Sequence, residues 1–144
     1  TKNRLKEQHE IAEKKLSVAR TIKVFTENIY TIYGTGFLPG FLYLGGLSKS
    51  LYMPRRKTPR LKVPKGAVAI GGSQAGIYPQ KSPGGWHIIG ETPLSFFDAG
   101  NEENPLLIKT GDSLRFKEIS VVELKKIEEQ IERGIYQLKK NNNA

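Results

Sequence analysis

The sequence predicts a mainly β domain, a barrel or sandwich of short strands with helices only at its ends. Three observations lead there. Short β-branched and aromatic runs recur at roughly ten-residue spacing from Ile29 onward. Gly and Pro turn signals separate these runs, drawn from 15 glycines and eight prolines in 144 residues. Helical periodicity is confined to the two ends of the chain, so the alternation that marks β-α-β units is absent.

The elements follow in order. Leu5 to Phe25 reads as two short helices. Leu5, Ile11 and Leu16 are apolar among Lys, Glu and Gln, and Ser17 stands where an N-cap would open the second helix. Val18, Ile22 and Phe25 then form one apolar stripe. Ile29-Tyr30-Thr31-Ile32-Tyr33 is a strand by composition. Pro39-Gly40, flanked by Phe37, Phe41 and Tyr43, is expected to form an aromatic-edged turn, either a packed corner or the wall of a binding site. Further strands are expected at residues 61–63, 67–70, 76–78, 87–89, 94–97, 106–108 and 114–118. Turns are expected at Val63-Pro64-Lys65-Gly66, Ser82-Pro83-Gly84-Gly85 and Thr110-Gly111-Asp112. Ser120-Val121-Val122-Glu123 is a capping box. The stripe Leu124, Ile127, Ile131, Ile135 and Leu138 predicts a C-terminal helix packed on the body, followed by a polar Asn141-Asn142-Asn143 tail. The expected organisation is a helical linker over 1–27, a β-barrel over 28–119 and the packed helix over 120–140.

Composition removes several classes of chemistry. There is no cysteine, hence no disulfide, zinc-thiolate site or thiol nucleophile, which suits a reducing compartment and points to the cytoplasm. No apolar run approaches the roughly 20 residues that span a bilayer, and no signal peptide opens the chain, so no membrane partner is expected. Thr1 in place of Met suggests a piece of a longer polypeptide. Net charge is +9, but its distribution argues against nucleic acid as a partner. Between Asn28 and Gly90 there are eight Lys and Arg and no Asp or Glu, whereas both ends are near balance. The charge is thus gathered around Gly, Pro and aromatic motifs, which suits a small anionic ligand or an acidic partner surface.

Four familiar machineries fail on spacing. His9-Glu10 lacks a second histidine four residues on, and two histidines in all make a multi-histidine metal site implausible; His87 reads as a structural strand residue. Gly71-Gly72-Ser73-Gln74-Ala75 resembles a nucleophile elbow, yet strand-like residues and Pro79 follow where a helix is required. Gly34-Thr35-Gly36 through Gly40 is near dinucleotide spacing, but no helix follows to receive a pyrophosphate. The P-loop pattern is missing.

What remains is an anion site. Pro54-Arg55-Arg56-Lys57-Thr58-Pro59-Arg60 is stiffened by two prolines. Stiffness lowers the entropy lost when a guanidinium fork grips a carboxylate or phosphate, so Arg56 and Arg60 are candidate ligands of an anion. Gln74, Tyr78, Trp86 and Tyr43 would add amide, phenol and indole groups, with Trp86 also suited to a plain core role. Pro39, Gly40, Pro83, Gly84 and Gly85 would let the backbone approach closely. No catalytic residue can be assigned, and no metal is expected.

In this order, several motifs resemble a known family. They are Gly36-Phe37-Leu38-Pro39-Gly40-Phe41-Leu42-Tyr43-Leu44, the Pro54–Arg60 run, Val63-Pro64-Lys65-Gly66, Gln74-Ala75-Gly76-Ile77-Tyr78-Pro79, and Ser82-Pro83-Gly84-Gly85-Trp86 through Thr92-Pro93. The family contains the B subunit of 5-oxoprolinase, the allophanate hydrolase subunit 1 domain and the sporulation-kinase inhibitor KipI. The likeness runs from about Leu16 to Ile119, with departures at Glu91 and Ala75. It implies the cyclophilin-like β-barrel that follows an N-terminal domain in such proteins. It also implies ATP-dependent hydrolysis of 5-oxo-L-proline to L-glutamate, with the C and A subunits of 5-oxoprolinase as partners and ATP used by the complex. The alternatives it implies are inhibition of a sensor histidine kinase, or a carboxyltransferase component of the urea carboxylase type.

Overall fold

The computed structural model describes residues 17–36, 38–96, 108, 110–134 and 136. Helix α1, Val18–Glu27, opens at Ser17, where the Ser17 hydroxyl accepts a hydrogen bond from the Arg20 amide at 3.0 Å. The expected cap is therefore in place, satisfying an amide that the first turn would leave orphaned. Phe25 of the expected stripe is buried, Ile22 is half-buried and Val18 is exposed. Thr21 is buried with them, its hydroxyl donating to the Ser17 carbonyl at 2.9 Å. The earlier of the two expected helices, with Leu5, Ile11 and Leu16, lies outside the described residues.

Eight strands follow among the described residues: β1 Tyr30–Gly36, β2 Leu38–Gly45, β3 Arg60–Val63, β4 Ala67–Gly71, β5 Gln74–Ile77, β6 Ser82–Gly84, β7 His87–Glu91 and β8 Ser113–Leu114. Six form one antiparallel sheet in the order β7-β4-β5-β2-β1-β8, and β3 pairs with β6 in a separate two-stranded ribbon. Among the described residues no pairing joins β7 to β8, so the sheet is seen as an open array.

Three expectations are corrected here. The Pro39-Gly40 segment is not a turn but part of β2. Thr35 pairs with Leu42 and Gly36 with Leu38, a register shift that leaves residues 39–41 as an irregularity opposite β1. A bulge of this kind tolerates a proline, which has no amide to give the ladder, and a Gly40 at φ 85. Ser82-Pro83-Gly84 is likewise strand β6, held by pairing Arg60 to Gly84 and Val63 to Ser82. The strand expected at 94–97 is irregular over 94–96: the Thr92 hydroxyl accepts from the Leu94 amide at 3.2 Å, closing a local turn after Pro93. Of the segment expected at 106–108 only Ile108, in a bend, is described, and the segment at 114–118 is a strand only through Leu114.

Strand alternation gives the sheet two apolar faces. One carries Ile32, Leu42, Leu44, Val68, Ile70, Ala75 and Ile77, covered by α1 through Phe25 and by Leu47, Leu51 and Met53. Phe25, Tyr30 and Phe116 close this core with ring centroids 5.0 to 5.5 Å apart, and the Tyr30 hydroxyl donates to the Phe25 carbonyl at 2.7 Å. The other face carries Phe41, Ala67, Ala69, Tyr78 and Trp86, covered by Val63 of the ribbon.

Helix α2, Val121–Glu132, begins at the expected cap, the Ser120 hydroxyl accepting from the Glu123 amide at 3.1 Å. No residue of this helix is fully buried. Leu124, Ile127 and Ile131 are half-buried, and the stripe enters neither core cluster. Ile135 and Leu138 lie outside the described residues.

Candidate functional site

The second face of the sheet, under the β3–β6 ribbon, gathers most of the residues singled out from the sequence. Trp86 is its centre. Its indole lies where side chains at Gly71 and Gly76 would stand, so two glycines on neighbouring strands form a flat floor for the ring. Phe41 meets Trp86 edge-on at 5.5 Å and Tyr78 edge-on at 5.0 Å, geometries favoured by the ring quadrupole. Tyr43 continues the row at 6.0 Å from Trp86 and Tyr33 at 6.1 Å from Tyr43. The row runs from buried to exposed: Trp86 and Tyr78 are core residues, Tyr43 is half-buried and Tyr33 exposed. The plain core role is thus what the geometry gives Trp86 and Tyr78.

Gln74 opens β5 opposite Gly71. The alternation that points Gly76 at Trp86 puts Gln74 on the same face, where it is half-exposed. Gly72, at φ 64, and Ser73 form the two-residue link between β4 and β5, a tight hairpin turn. Ser73 is exposed, and a strand follows it, so no nucleophile elbow exists here.

The arginines are arranged differently from the expected rim. Arg55 is exposed, Arg56 half-buried, and Arg60 only 7% exposed. The chain is pinned by a paired bridge between Met53 and Gly72 and by the Arg56 amide donating to the Gly85 carbonyl at 2.8 Å. Arg60 then enters β3 opposite Gly84, facing the sheet instead of projecting from a stiff loop. Burial lowers the affinity of its guanidinium for a proton, while neighbouring Tyr78 acts in the opposite sense. The Tyr78 phenol is raised above its usual range, chiefly by burial. A main-chain hydrogen bond with Trp86 and the charge of Arg55 pull it down, Tyr43 adds to the rise, and Arg60 pulls it down again. Arg60, Arg55 and Tyr43 therefore all act on the Tyr78 phenol, and Gln74 and Trp86 share its face of the sheet.

Gly84 and Gly85 lie on the ribbon side of this group, with Gly84 against the Tyr78 hydroxyl. Pro83 and Pro39 are exposed. His87, read as structural, is buried in β7 with Nε2 at 2.8 Å from the Pro54 carbonyl. The sequence did not mark Tyr33 or glycines 71 and 76 as parts of this face. The signal for the glycines was their place in consecutive strands, but their register could not be known before the β4–β5 hairpin was built.

Chemically this is a face with aromatic walls, neutral hydroxyl and amide groups, and cationic forks. It carries no Asp or Glu from residues 28–90, so that interval supplies no carboxylate to act as a general base. Among the described residues no three His, Asp or Glu side chains come together in a metal-holding group. Nor does any glycine-rich loop there lead into a helix: Gly34 to Gly40 belongs to the β1–β2 hairpin. No described helix is long and apolar enough to cross a membrane.

The described residues thus form a mainly antiparallel domain with an aromatic and cationic face. Over residues 7–108 the chain matches the family model of the carboxyltransferase domain, subdomain C and D, and it belongs to that family. It is 53% identical over 97 residues to the B subunit of Haemophilus influenzae 5-oxoprolinase, covering 67% of this chain and 45% of that protein. It is 45% identical over 105 residues to the B subunit of Bacillus subtilis 5-oxoprolinase, covering 73% and 43%. Among solved structures, a conserved uncharacterized protein of Pyrococcus horikoshii superposes with a TM-score of 0.76 at 41% identity, covering 82% of this chain and 55% of that one. The chain thus spans less than half the length of the two curated relatives.

Proposed function

We propose that this chain is part of the B subunit of a 5-oxoprolinase, a non-autonomous component of a complex that hydrolyses 5-oxo-L-proline to L-glutamate at the expense of ATP. The observation that carries the reading is its identity, near one residue in two, to proteins of that name over 97 and 105 residues. The chemistry of that face agrees. A small planar lactam bearing a carboxylate suits an aromatic wall with a guanidinium at its edge, and Gln74 offers both a donor and an acceptor for an amide.

On this reading Arg60 and Arg56 receive the anion and Gln74 and Tyr43 orient the ring, with Tyr78 packed behind them as part of the wall. Trp86 fixes the floor beneath them. The carboxylates that move protons come from the partner C and A subunits, because the acid-free interval supplies none. ATP is used by the complex, and neither nucleotide cradle is present among the described residues of this chain. The experiment is reconstitution: the full-length protein is combined with the A and C subunits, and ATP-dependent glutamate formation from 5-oxoproline is followed. Turnover that requires all three supports the reading, and a complex that forms without turning over 5-oxoproline sinks it. Unchanged turnover in Arg60→Ala and Gln74→Ala proteins that still assemble removes those two residues from the site.

A further inference from the structure

The outward side of the β3–β6 ribbon presents a second surface, distinct from the aromatic face beneath it. In a regular strand Leu61 and Lys62 would point to opposite sides. Here a register shift separates Arg60, paired with Gly84, from Val63, paired with Ser82. Arg60 and Val63 are both buried, and the two residues between them are both exposed. Leu61 is 87% exposed, more than any other large apolar residue described. On β6, Ser82 is buried and Pro83 exposed, which sets Pro83 on the same outward side. Cations stand at both ends. Lys57 follows Arg56, which is bonded to Gly85 beside the Gly84 end, and Lys65 and Lys81 adjoin the Val63–Ser82 end; all three are exposed. The segment from Asn28 to Gly90 contains no carboxylate, so every charged side chain that the ribbon and its flanking turns contribute is basic.

We infer that this face docks an acidic polypeptide segment of a partner protein, one that seats an apolar side chain against Leu61 and Pro83. An apolar centre inside a charged rim is the anatomy of a protein interface, and one-signed lysines around it steer and orient an oppositely charged partner. The details disfavour nucleic acid. Single strands are held by exposed aromatic rings on which bases stack, whereas the exposed centre here is aliphatic and Trp86 and Tyr78 are buried on the other side. Strand addition along β6 is disfavoured too, since Pro83 offers no amide to a new ladder. Recognition therefore falls to side chains. The inference stands apart from the reaction proposed above, because none of the docking residues lies on the aromatic face.

Fluorescence anisotropy on the full-length protein tests it, using a labelled acidic peptide with leucine at every third position. Controls are the same peptide with serine for leucine, and a single-stranded oligothymidylate. The leucine peptide should bind in a salt-dependent way, the serine peptide more weakly. Lys62→Glu should weaken binding about tenfold and Leu61→Ser several-fold, the range of interface residues that matter. Both positions are exposed, so unchanged circular dichroism is expected of both variants. No binding, equal binding by the variants, equal binding of the two peptides, or oligothymidylate binding as tight as the leucine peptide would each overturn the inference.

Discussion

The hydroxyl of Tyr78 occupies the place that a side chain at Gly84 would take. This single relationship couples the ribbon to the sheet, because Gly84 is also the strand partner of Arg60. Gly84→Ala should therefore overpack the junction and cost about 1–3 kcal/mol in urea unfolding. Gly90→Ala is the matched control, since nothing lies within 4 Å of a Cβ there; it should be neutral or stabilise by roughly 0.4–1 kcal/mol through the unfolded chain. Equal effects at the two glycines would mean that Tyr78 does not hold the ribbon down.

Trp86 is the sole tryptophan, so its emission reports the aromatic face alone. A methyl at Gly71 falls on the indole ring, and Gly71→Ala should displace it, shifting emission to the red and lowering stability by about 1–3 kcal/mol. Unchanged emission would show that the floor beneath the ring is not needed.

Alkaline titration should be hidden for two tyrosines. Burial raises both Tyr30 and Tyr78 above the ordinary phenol range. A raised folded-state value means that the folded protein holds its proton more tightly than the unfolded chain does. The stabilisation is then complete below about pH 10 and is lost as pH rises above it. Phenolate absorbance should show these two tyrosines ionising only together with unfolding. Tyr30→Phe should flatten the alkaline loss and, by removing a buried hydrogen bond to the Phe25 carbonyl, cost about 1–2 kcal/mol near neutrality. Smooth ionisation of all the tyrosines before unfolding would refute this.

The two serine caps should behave differently. Ser17→Ala removes a cap from a helix whose Phe25 is in the core, and a global loss of about 1 kcal/mol is expected. Ser120→Ala removes a cap of the same kind from a helix with no buried residue. Its loss should appear as faster amide exchange within Val121–Glu132, with the global midpoint unmoved. A full global effect at Ser120 would show that α2 is tied to the core.

Strands carried by a continuous apolar or β-branched run, such as Ala67–Gly71 and His87–Glu91, were legible in the sequence, and so were both helix caps, because each depends on residues adjacent in the chain. Strand β2 was not. Pro39-Gly40 is a strong local turn signal, and only its partner β1 turns it into a bulge. Strand β6 was hidden for the same reason, as Ser-Pro-Gly has no strand propensity until Arg60 and Val63 lie beside it. At the site, residue types were readable but directions were not. The double proline suggested projecting arginines, whereas Arg60 turns inward in β3, Arg56 is half-buried and Arg55 alone is exposed. His87 was recognised as structural from its strand setting, and its acceptor, the Pro54 carbonyl, is 33 positions away.

Phe25 in α1, Tyr30 in β1 and Phe116 beyond β8 share one aromatic cluster, so the polypeptide comes into this sheet and departs from it at a common point. Adjacent entry and exit make a fold portable. It could be spliced between two segments of a larger polypeptide as a cassette, leaving the flanking parts as near to each other as they were before.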